Sequence, residues 1–133
     1  MEKPQSRYVT KKAIEGLSNE LDFDKSIDSQ DWEWVIGNEN DIEKYINRYN
    51  KEVDEDKKFA LMEIIIQATE DQETDFLFQK YSDIILKLLN DNFKIHEHSI
   101  YYWSSFSIKN LENCWKISNL MRKIWTEKQN KKI

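Results

Sequence analysis

The sequence predicts an all-α protein, an antiparallel array of six or seven helices in a single domain over residues 1–133. Its form is either a compact bundle or a short HEAT-like α-solenoid of stacked hairpins. Three observations lead there. Apolar residues recur at three-to-four spacing along most of the chain, which turns one face of a helix toward a core. Only two Gly and one Pro occur in 133 residues, too few for the tight turns that sandwiches and barrels need. Hydrophobic residues make up 39% and aromatic residues 13%, enough apolar surface to order a core and to exclude a disordered chain.

The first helix is expected from Ser6 to Asn19, with Val9, Ala13, Ile14, Leu17 and Leu21 on its buried side and Ser6 as N-cap. Residues 22–37, DFDKSIDSQDWEWVIG, follow no single period: Trp32, Trp34 and Ile36 alternate with Glu33 and Val35, so an extended piece and an irregular helical turn both fit. Asn40 and Glu43 form a capping-box pattern that opens a helix to Lys51, burying Ile42, Tyr45, Ile46 and Tyr49. Asp54 or Asp56 then caps a helix from Lys57 to Thr69. There Phe59, Leu61, Met62, Ile64, Ile65, Ile66 and Ala68 cover too much of the circumference for a surface element, so it is expected at the centre.

The next helix spans Gln72 to Asn90, with Phe76, Leu77, Tyr81, Ile84, Ile85, Leu88 and Leu89 inward. Asn90 and Asn92 suit its end, because Asn tolerates the left-handed conformation. A shorter helix from His98 to Ser107 carries Ile100, Tyr101, Trp103 and Phe106. The last region, Asn110 to Gln129, buries Leu111, Cys114, Trp115, Leu120, Met121, Ile124 and Trp125 as one helix, or as two with Ser118 capping the second.

Charge is distributed unevenly. Residues 1–75 hold 20 acidic and 10 basic side chains, whereas residues 76–133 hold 5 and 10. Fourteen carboxylates fall between Glu15 and Asp56, against Lys25, Lys44, Arg48 and Lys51. Helix caps account for Asp41, Glu43, Asp54 and Asp56. Capping explains fewer of Asp22, Asp24, Asp28, Asp31, Glu33 and Glu39, and these surround Trp32 and Trp34. Carboxylates around a flat aromatic anchor are a common interface composition, and the eight residues are the expected partner-binding set. Such a field steers a basic partner and repels nucleic acid.

Catalytic chemistry is disfavoured. His96 and His98 are two apart, where a helical metal pair needs four, so helix-start capping and partial burial are expected of them. Cys114 rules out an internal disulfide and, on an apolar stripe, is expected to be an inert thiol. Glu63 with Glu70 and Asp71 with Asp75 lack the Glu-x-x-His pairs of di-metal bundles. Gly16 and Gly37 are isolated, so no nucleotide loop is available. No catalytic, cofactor or metal residue is assigned. No apolar run approaches the roughly 18 residues of a membrane span, and no secretory signal opens the chain, so a cytoplasmic protein without a membrane partner is expected. The C-terminal Arg122, Lys123, Lys128, Lys131 and Lys132, with Trp125, would serve either as cations at a helix end or as a nucleic-acid contact.

DWEWVIG, DIEKYINRYN, KFALMEIIIQATED, HSIYYW and LMRKIW, between Asp31 and Trp125, together resemble small helical bacterial immunity proteins of toxin–immunity systems, including contact-dependent growth inhibition. The resemblance lies in core and helix-start residues. It places Thr-Pro ahead of the last motif, where this chain has Ser118-Asn119. It implies a protein that binds a cognate toxin domain, often a nuclease, and blocks it; no toxin-contacting residue carries over. A helical adaptor, or a nucleic-acid-binding protein using the basic C-terminal half, is the alternative expectation.

Overall fold

Thr10, not Ser6, opens the first helix. Its hydroxyl accepts from the Ala13 amide at 3.1 Å, the geometry of an N-cap satisfying the third amide of a helix. In the computed structural model, which describes residues 3–21 and 39–131, helix α1 therefore runs Lys11–Leu21 and buries Ala13, Ile14, Leu17, Ser18 and Leu21. Residues 7–9 are not helical. Arg7 reaches Asp56 at 3.0 Å and lies over the Phe59 ring, contacts made with chain about fifty residues away that local pattern cannot announce.

One 3₁₀ turn, Glu39–Asp41, precedes α2, Ile42–Lys51. The four residues buried in α2 are the four its periodicity selects: Ile42, Tyr45, Ile46 and Tyr49. Asp54 caps α3, Glu55–Glu70, by accepting from the Lys57 amide at 3.0 Å. All seven apolar residues expected inside α3 are at most 2% exposed, so this helix is buried around most of its circumference from Phe59 to Thr69. Thr74 caps α4, Asp75–Asp91, through the Leu77 amide. Phe76, expected inward, is 77% exposed.

Helix α5 spans Phe93–Ser104 and starts five residues before the expected His98. Asn92 alone separates it from α4. Neither Asn90 nor Asn92 adopts the left-handed conformation: Asn90 stays helical and donates its amide to the Leu86 carbonyl, and Asn92 sits at φ −125°. The left-handed residue is Ser105, at φ 52°. Residues 110–117 do not join a long helix. They form a 3₁₀ turn, Leu111–Asn113, and an irregular link to α6, Ser118–Asn130. Leu111 is consequently 45% exposed and Cys114 half-buried. Ser118 does not cap; its hydroxyl donates to the Trp103 carbonyl at 2.7 Å.

The protein is all-helical, with six α-helices and no strand among the described residues. No described helix is long and apolar enough to cross a membrane. The chain divides into two units, residues 7–72 and residues 73–133 with 1–6. In the first, α1 and α2 pack on α3. In the second, α5 packs on α6, and α4 contacts both.

Candidate functional site

Of the eight residues expected to bind a partner, Asp22, Asp24, Asp28, Asp31, Trp32, Glu33 and Trp34 lie outside the described residues, as does the conformation of residues 22–37. Glu39 lies within them. It opens the 3₁₀ turn before α2, and its carbonyl accepts from the Gln72 side chain at 3.0 Å.

The neighbouring carboxylates form a local network. Glu20 accepts from Lys57 Nζ at 2.7 Å and from Arg48 Nη2 at 2.7 Å. Arg48 also donates to Glu52 at 2.8 Å. Glu52 is only 7% exposed, and its other oxygen accepts the Val53 and Asp54 amides; a carboxylate held out of water this way needs every one of those donors. Gly16 belongs to the same assembly. A Cβ there would stand 2.7 Å from Lys57 Cε, so the glycine lets the lysine stem cross α1 and reach Glu20.

Hydrogen bonding from Lys57, aided by Arg48, holds the Glu20 carboxyl below its ordinary 4.5, and the same contact raises Lys57 above 10.5. A carboxyl depressed by folding contributes stability that is full above its unfolded value and lost as pH falls through the folded one. Glu20→Gln is thus expected to lower stability at pH 7 by under about 1 kcal/mol, the scale of partly exposed pairs. Urea melts should show that deficit start to shrink near pH 4.5 and vanish only once the pH has fallen through the lowered folded value.

Chemistry-bearing residues of the second unit gather elsewhere. His96 is fully buried inside α5 and does not cap a helix start, while His98 is half-buried. Burial pushes His98 below its ordinary 6.5, which keeps it neutral at pH 7. Its ring stacks on Tyr102, with 6.3 Å between centroids. Tyr102 continues to Trp115 at 5.5 Å, and Trp115 to the buried Trp103 at 4.5 Å. His98, Tyr101, Tyr102, Phe106 and Trp115 wall a cavity of about 460 Å³, with Lys3 on its lining. Among the described residues no Asp or Glu lines it.

The turn bounding this cavity is fixed from outside it. Arg122 donates through Nε to the Ser104 carbonyl at 2.6 Å, and through Nη2 to the Ser105 and Ile108 carbonyls at 2.7 and 2.8 Å. Its guanidinium also covers the Phe106 ring. Arg122 is therefore not part of a solvated basic tail; it is a cation at a helix C-terminus, but the helix is α5 and not its own. Trp125 likewise packs edge-on to Tyr101 and is 3% exposed. Ser105 stands in a conformation costing a non-glycine residue about 1–2 kcal/mol, less the entropy glycine would lose. Ser105→Gly is expected to stabilise the fold by about 0.5–1 kcal/mol, read from its denaturation midpoint.

Among the described residues no three His, Cys, Asp or Glu side chains lie close enough to hold a metal ion. The cavity was not foreseen, although five of its side chains fall between His98 and Phe106. An aromatic run reads as core unless the left-handed turn that opens it is known.

No family model, curated protein or solved structure matches this chain.

Proposed function

We propose that this chain is an interaction protein and not an enzyme: an immunity-type inhibitor that binds a basic toxin domain, such as a nuclease, through its acidic unit and neutralises it in the cytoplasm. The observation that carries this reading is the partition of charge between the two units. Residues 7–72 hold 17 acidic and 9 basic side chains, net −8, whereas residues 1–6 with 73–133 hold 8 and 11, net +3. The pairs Arg7–Asp56, Arg48–Glu20, Arg48–Glu52 and Lys57–Glu20 are all internal to residues 7–72. Internal pairing leaves a unit's net charge unchanged, so its field still reaches a basic partner. A nuclease is basic where it grips phosphate, and carboxylates compete for that surface.

The test is calorimetry of the full chain with the toxin encoded beside it, at low and physiological salt. Binding that weakens with salt supports the reading, and rescue of cells expressing the toxin supports neutralisation. Reversing Asp24 and Asp28 to lysine should slow association about tenfold or more with little change in melting temperature. Absence of binding and of rescue defeats the proposal, and a shift of DNA or RNA by the chain would favour the nucleic-acid alternative.

A further inference from the structure

We propose that the cavity beside α5 is a binding site for a small planar aromatic anion of the aryl carboxylate class. It lies in the unit of residues 1–6 and 73–133, so it stands independently of the role given to residues 7–72.

Size comes first. At about 460 Å³ the cavity falls within the roughly 300–1,000 Å³ of small-molecule sites, and one side chain from a protein partner would leave much of it empty. Shape and chemistry follow from the walls. Tyr102 packs against Trp115 and Tyr101 against Phe106, each pair 5.5 Å apart between centroids, and all four rings line the cavity. Such faces hold a flat ring by dispersion and offset stacking.

Charge then selects among flat molecules. An aromatic cage for ammonium groups draws on ring faces and is spoiled by a neighbouring cation. Here Lys3 lies on the lining and, among the described residues, no Asp or Glu does, while His98, lowered by burial, adds no charge at neutral pH. Ser6, Ser105 and Ser107 also line it, and a serine hydroxyl can donate to an anion. An anion on the ring edge therefore meets one cation and several O–H groups.

The wall is also formed in advance. Ser105 sits in the left-handed conformation, and Arg122 holds the carbonyls on both sides of the turn. Strain kept in place by three charge-assisted hydrogen bonds shapes the site before any ligand enters.

The probe is naphthoate, titrated into the full chain by calorimetry and by tryptophan fluorescence, with naphthylmethylammonium as the same ring of opposite charge. Naphthoate is expected to bind saturably at one equivalent, at least about tenfold more tightly than the ammonium. Lys3→Met should erase that preference. Ser107→Trp, at an exposed position of the turn, should fill the cavity and weaken naphthoate about tenfold or more with the melting temperature preserved. Saturation by naphthoate with both variant effects supports the site. Lack of saturation at millimolar naphthoate, equal binding of the two ions, or naphthoate binding untouched by both variants overturns it.

Discussion

Ile65→Ala is expected to destabilise the protein by about 3–4 kcal/mol. Three carbons leave, worth roughly 0.8 kcal/mol each in transfer from water. The remainder is the cost of a cavity that does not close. Ile65 is 0% exposed, as are Leu61, Met62, Ile64 and Ile66 around it, and α1 and α2 both pack against the helix that carries it. A side chain on a one-sided helix leaves neighbours free to settle into the gap; here every residue from Phe59 to Thr69 except Glu63 is buried. Urea denaturation should show a lower midpoint at unchanged slope. Phe76→Ala is the contrast: a larger side chain, 77% exposed, whose loss should cost under about 0.5 kcal/mol. If Ile65→Ala proved equally mild, the buried position of α3 would be wrong.

That α3 lies at the centre is legible in the sequence because the evidence is local. Apolar residues occupy nearly every position from Phe59 to Ala68, and Asp54 stands where a first-turn amide needs an acceptor. The buried set of α2 follows from the same period. Where the reading failed, a contact that the apolar period does not encode decided the outcome. Residues 7–9 had the apolar spacing of a helix, but Arg7 is drawn to Asp56 and Phe59, and Thr10 takes over as cap. Asn90 and Asn92 carried the preference for a left-handed helix end, yet Asn90 spends its amide on the Leu86 carbonyl and α5 begins almost at once. The left-handed position went to Ser105, which has no such preference. Seven of the eight acidic-segment residues, all but Glu39, lie outside the described residues. The charge partition was visible by counting, whereas the cavity depends on a turn whose conformation is set by an arginine 17 residues later.

Arg122→Met is expected to cost about 3 kcal/mol and to weaken naphthoate, although the side chain lines no part of the cavity. Methionine keeps most of the apolar stem and removes the donors that reach the carbonyls of Ser104, Ser105 and Ile108 at 2.6–2.8 Å, leaving the Ser105 carbonyl only the Ile108 amide. Hydrogen bonds from a charged donor contribute roughly 1.5–3 kcal/mol each, and they share one side chain's ordering cost, so the total falls well below their sum. Arg122→Lys should recover less than half, because one ammonium cannot reach from Ser104 to Ile108 as the planar fork does. A double-mutant cycle separates a staple from a mere contact. Strain at Ser105 exists only while something enforces it. The gain from Ser105→Gly should therefore shrink toward zero in the Arg122→Met background, where serine is free to leave the left-handed region. An equal gain in both backgrounds would mean that the turn keeps its conformation without the arginine, and the cavity wall would then owe its shape to the packing of Phe106 and Trp115 instead.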